Sequence, residues 1–184
     1  MRHKSSILGM AALAGVLALP AVRASAAAAT APAGDVTKSM QQAKQTAYQL
    51  RETADRLHAI TRSGGHSWQS HSWYLNAARE DVNRLGKMLA DLEGLKPLGT
   101  EAQQVIIERM RPQLVATAGA LTNAIELLND RRHNAYFAEY REAVQTVSEQ
   151  GDALHETLDA VLDYEAARFR LNSLKLLPSV QSGT

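Results

Sequence analysis

Six histidines and two tryptophans carry most of the chemistry this sequence could do. His58, His66, His71 and His133, with Asp130, are the residue types that bind a borderline divalent transition metal such as zinc, copper or nickel. Their spacing matches no metal motif, and His71 is equally well accounted for as a buried imidazole bonded to a neighbour. The triplets His66-Ser67-Trp68 and His71-Ser72-Trp73 repeat five residues apart, so on a helix the two indoles point about 140° from each other. Trp68 is expected to plug the end of a helical hairpin, while Trp73 faces elsewhere, as an aromatic contact. Met40, Met88 and Met110 approach the level of His155, a pair of residue types able to ligate haem. Methionine is also an ordinary core filler, and no cofactor is the primary expectation.

Catalytic signatures are missing from the sequence. It has no Gly-rich phosphate loop, no nucleophile elbow and no Glu-x-x-His pair of the di-iron type, and His155-Glu156 is not followed by a second His at metalloprotease spacing. Acids and arginines at helical intervals, such as Arg79, Glu80 and Arg84, read as solvated faces. The chain is therefore read as a non-enzyme.

The elements that would position these residues follow from spacing. Apolar or small residues fall at Val36, Met40, Ala43, Ala47, Leu50, Ala54, Leu57 and Thr61, in alternating steps of four and three. The same alternation recurs at Trp68, His71, Leu75, Ala78, Val82, Leu85, Leu89 and Leu92. In an antiparallel hairpin facing residues keep a constant number sum. Here 36 with 92, 40 with 89, 50 with 78, 54 with 75 and 61 with 68 all give 128 or 129. Gly64 or Gly65 supplies the left-handed residue after the first helix, and Ser67 caps the second. Gly94 and Pro97 predict its end near Glu93, and Thr100 with Gln103 is spaced as a capping box for a third helix.

The third helix carries Ile107, Met110, Leu114, Ala118, Leu121, Ile125 and Leu128, with Pro112 predicting a kink or a restart. A polar turn over 129–134 leads to a fourth, from Ala135 to about Leu171, on Tyr136, Tyr140, Val144, Val147, Gly151, Leu154, Leu158 and Val161. Gly151 on that stripe predicts a close helix approach or a soft spot. Four long helices with short links and no strand pattern predict an all-α, up-down-up-down antiparallel four-helix bundle over residues 35–171. Asp35 would cap its first helix. The same helices exchanged between two chains are the alternative.

Residues 1–26 read as a secretory signal peptide: Arg2 and Lys4, an apolar run over 7–19 too short to span a bilayer, then Ala24-Ser25-Ala26. Residues 27–34 form a small-residue leader, and 172–184 a loose tail. Cleavage would leave 17 basic against 19 acidic residues from the 20 and 19 of the whole chain, since only Arg2, Lys4 and Arg23 depart. That balance argues against nucleic acid as a partner. Without cysteine the core has neither disulfides nor thiolate metal sites. The sequence therefore points to a periplasmic or secreted bacterial bundle, with no transmembrane segment after cleavage. It would act as an interaction or structural module, through a protein partner or self-association, and a metal-binding or redox bundle is the alternative.

Overall fold

A computed structural model describes residues 30–64, 67–130 and 137–175, with side chains from residue 34. All elements among the described residues are helical: α1 (Thr30–Ser63), α2 (Trp68–Leu95), a 3-10 turn (Lys96–Leu98), α3 (Glu101–Asp130) and α4 (Ala138–Lys175). The four helices pack as a ring of neighbours, α1 on α2 and α4, and α3 on α2 and α4. Their apolar stripes meet in one core that includes Leu50, Leu57, Leu85, Leu92, Ile107, Leu154 and Leu158, all fully buried. No helix among the described residues is long and apolar enough to cross a membrane. The signal-peptide region lies outside the described residues.

Local punctuation explains the ends. Gly64 takes φ 66°, the left-handed conformation that only glycine adopts without strain, and so releases the chain from α1. Ser67 then caps α2 by accepting from the Ser70 amide at 3.4 Å. The capping box at α3 is reciprocal: the Gln103 side chain accepts from the Thr100 amide at 2.9 Å, and the Thr100 hydroxyl accepts from the Gln103 amide at 3.3 Å. Gln103 is itself buried, and its amide nitrogen donates to Thr37 at 2.8 Å, tying α3 to α1.

Several ends differ from expectation. α1 starts at Thr30, so Asp35 is an exposed residue within the helix rather than its cap. α2 passes through Gly94 to Leu95 and tightens into the 3-10 turn, whose first positions accept Pro97 because they need no amide donor. α3 is one helix with Pro112 inside it, so the chain does not restart there. α4 runs to Lys175, four residues past the expected end. The α1–α2 register also differs: Thr61 meets His71, Gln49 meets Arg84 and Thr46 meets Met88, with number sums of 132 to 134. That is about one turn from the expected pairing, because Trp68 is the first residue of α2 and the side chain that reaches Thr61 comes from the turn after it.

Polar pairs between α1 and α4 bracket the apolar seam. Lys44 pairs with Asp159, Arg51 with Asp152 at 2.7 Å, and the Ser148 hydroxyl donates to Asp55 at 2.6 Å. Across α2 and α3, Arg111 donates to Glu93 at 2.9 Å and Lys96 pairs with Glu108. Partly exposed pairs like these set register more than they add stability.

Candidate functional site

Three helices converge on a buried polar node beside the α1–α2 connection. Thr61 from α1, His71 from α2 and Tyr140 from α4 are each 2 % exposed or less. Each lies on the core-facing stripe of its own helix, so the spacing that buries leucine elsewhere buries polar groups here. Buried polar groups need partners. The Tyr140 hydroxyl lies 3.0 Å from His71 Nδ1, and the two rings meet edge to face at 5.5 Å. The Thr61 hydroxyl donates back to the Leu57 carbonyl at 2.7 Å and sits 3.5 Å from the same Nδ1. The Thr61 proton is committed to Leu57, so its oxygen can only accept from Nδ1, whereas the Tyr140 hydroxyl can donate to Nδ1 or accept from it, as the tautomer of His71 dictates. Burial pushes the Tyr140 phenol well above its ordinary value of 10.0, so it stays protonated.

His58 does not share this node. It is half-buried and lines a groove between α1 and α4 with Arg62, Arg141, Glu142 and Gln145. One residue beyond Leu57 is about 100° around the helix, which turns His58 out of the core. Asp130 is exposed at the last position of α3. His66, His133 and Tyr136 lie outside the described residues. Among the described residues no group of three or more His, Cys, Asp or Glu side chains is placed to hold a metal ion.

The two tryptophans differ in exposure. Trp68 keeps 37 % of its surface exposed, and His71 and Tyr140 are the deep side chains at this end. Trp73 is 66 % exposed and stands edge-on to Tyr74 at 4.8 Å, beside a groove that Tyr48 lines from α1. Met40 and Met110 are core residues, while His155 packs 5.6 Å from the Tyr48 ring, itself 42 % exposed, on the flank of α1 and α4. Lys44 hydrogen-bonds Asp159, one turn along from His155, and holds its carboxyl below the usual carboxylate range.

The remaining feature is the far end of α4. From Ala166 to Lys175 every residue is exposed, including Phe169 at 72 %, Leu171 at 54 % and Leu174 at 65 %. Just before it, Ala160, Val161, Tyr164 and Arg168 face Ala102, Val105 and Ile106 of α3 across a shallow groove of about 410 Å³. The reading of the sequence missed this surface because it ended the helix at 171 and followed only the stripe that carries Leu154 and Leu158. The signal was present one residue out of phase. It also missed Tyr140 as the partner of His71, since no spacing within α2 says which side chain of α4 will face it. No protein-family model, curated protein or solved structure matches this chain.

Proposed function

We propose that this chain is a non-catalytic helical bundle of a bacterial envelope, periplasmic or secreted, that works by contact. The exposed apolar end of α4 carries the reading. Phe169, Leu171 and Leu174 stay largely in solvent there, and exposed apolar side chains gathered at one end of a helix are characteristic of interaction sites. The buried Tyr140 and His71, by contrast, bond to each other and hold α4 to α2.

Within this reading the helices alternate up and down, with α3 bent at Pro112. Supporting the alternation, residue numbers fall on α4 as they rise on α1 through the pairs 44 with 159, 51 with 152 and 55 with 148, each summing to 203. Pairs 93 with 111 and 96 with 108 behave likewise between α2 and α3. Supporting the bend, a proline inside a helix removes one amide donor and crowds the carbonyl of Glu108.

Site-specific photo-crosslinking in the producing cell tests the function. A photoreactive residue at Leu171 is expected to give a discrete adduct, one at exposed Ala59 on α1 none, and both proteins should fractionate with the envelope or the medium. Equal labelling from the two positions, or a cytoplasmic protein, overturns the proposal.

A metal-binding bundle using His58, His66, His71 and His133 is the second reading. One observation favours it: Tyr140 fixes the His71 ring through Nδ1, as a supporting group orients a metal-ligating imidazole through its other nitrogen. Ligation through Nε2 would require the ring proton on Nδ1, with the Tyr140 oxygen accepting it. Metal analysis should then find one equivalent that His71→Ala abolishes, and a metal-free preparation rejects it.

A further inference from the structure

We infer that the exposed end of α4 is a docking surface for a second copy of this chain, two α4 helices packing antiparallel about a two-fold axis between residues 165 and 166. The inference rests on the contact reading above and names its partner.

Ala160, Tyr164, Ala167, Leu171 and Leu174 are all exposed and follow one another in steps of four, three, four and three. That is the spacing of a coiled-coil seam. At about 100° per residue the stripe lies roughly 120° around α4 from Leu154, Leu158 and Val161, which face the chain's own core. One helix cannot turn both stripes to the same bundle. The second is built like a seam and lacks a helix among the described residues to meet it: α3 lines only its beginning, at Ala160 and Tyr164.

Side-chain sizes decide the direction. In an antiparallel pair whose facing residues sum to 331, Tyr164 meets the partner's Ala167 and Leu171 meets the partner's Ala160, and symmetry repeats both layers. Every bulky residue then opposes a small one, which is how two helices interdigitate closely. The same register sets Asp163 opposite the partner's Arg170 on the flank, twice, pairing opposite charges where exposed ion pairs choose partners. A parallel, in-register pair stacks tyrosine on tyrosine and alanine on alanine, and while it pairs Asp163 with the partner's Arg168 it also puts Arg170 beside the partner's Lys175, a like-charged contact. Leu171 and Leu174 extend in the antiparallel pair toward the partner's α3 groove at Ala102 and Val105, where Glu101 faces the incoming basic end. Phe169 lies on the opposite side of the helix from the stripe and takes no part.

Sedimentation equilibrium of the chain as isolated from its cell, over micromolar to hundred-micromolar concentrations, tests this with four variants. The parent is expected to dimerise. Leu171→Asp should be monomeric with an unchanged helical spectrum, and Phe169→Asp should dimerise like the parent. Asp163→Arg should weaken association about tenfold, two repulsive pairs replacing two attractive ones, and adding Arg170→Asp to it should restore the parent value. A parent that is monomeric throughout, a dimer indifferent to Leu171→Asp, or a double reversal without rescue overturns the inference. A monomeric chain that still yields a discrete adduct to another protein from position 171, or to its own residues 176–184, overturns this inference and leaves the contact reading standing for the first case only. Absence of both dimer and adduct overturns the two together.

Discussion

Tyr140 and Leu171 belong to the same helix, yet they sit in opposite environments about 46 Å apart. At Tyr140, α4 is surrounded: its phenol is fully buried and bonded to His71, whose ring is flanked by Thr61. At Leu171, α4 has left its neighbours behind and presents more than half of the side chain to solvent. At one end polar side chains are hidden, with His71 Nδ1 and the Tyr140 hydroxyl matched to each other, and at the other apolar atoms are shown and unmatched by anything among the described residues. Each end inverts the usual distribution, for different reasons. The buried polar node fixes how α2 meets α4, because a shift of either parts the Tyr140 hydroxyl from His71 Nδ1. The exposed apolar end adds nothing to that fit and is free to meet another surface.

The comparison breaks most visibly at Tyr140. Tyr140→Ala removes a fully buried ring and the hydrogen-bond partner of His71, and should cost about 3–5 kcal/mol in denaturant unfolding. Tyr140→Phe keeps the ring and loses only the hydrogen bond, and should cost about 1–2 kcal/mol. If both variants unfold at the parent midpoint, the node is ornamental and the contrast between the two ends fails. The phenol also makes a pH prediction. Burial raises its folded pKa above the unfolded 10.0, so its contribution is complete below pH 10.0 and is lost as pH rises beyond it. The parent should therefore lose stability more steeply than Tyr140→Phe above pH 10.0, a difference that paired alkaline melts would read.

Between the ends, Gly151 sharpens the comparison. It is buried against α1, and a Cβ placed on it would meet the Arg51 Cα at 3.5 Å, the Arg51 nitrogen at 3.7 Å and Leu50 Cγ at 3.8 Å. These are ordinary contacts, so the site has room for one methyl group. Gly151→Ala should raise stability by about 0.5–1 kcal/mol through the helix propensity that glycine forfeits. A loss instead would mean that the helices need the full approach of their backbones there. In either outcome the shift should be smaller than at Tyr140, since no partner is lost.

Much of the architecture could be read before the coordinates. The steps of four and three marked most core positions from Val36 to Val161, because burial on a helix repeats with its turn, but Trp68 is exposed and Thr117 and Ala124 are buried where Ala118 and Ile125 were expected. Gly64, Ser67 and the Thr100–Gln103 box were legible because caps act through neighbours three residues away. What could not be read depended on residues far apart in the chain. His71 was recognisable as a seam histidine, but Tyr140 lies 69 residues later, and only the packing of α4 against α2 brings the two together. His58 was grouped with His71 by residue type, and residue type says nothing about the 100° that turns it into the α1–α4 groove. The end of α4 was missed because its apolar residues lie off the core stripe, and the search for one stripe passed over the other.

The smallest effect is expected at Phe169, and it tests the open end of the comparison most strictly. An aromatic ring that packed on the bundle would cost several kcal/mol to remove, whereas one 72 % exposed has little contact to lose. Phe169→Ser should therefore leave unfolding within about 0.5 kcal/mol of the parent, as surface substitutions do. Leu171→Ser should behave identically in dilute protein and diverge only as concentration rises, because its partner surface belongs to another molecule. A concentration-independent cost above about 1 kcal/mol at either residue would mean that the end of α4 folds onto its own chain. The stripe would then be a piece of the core.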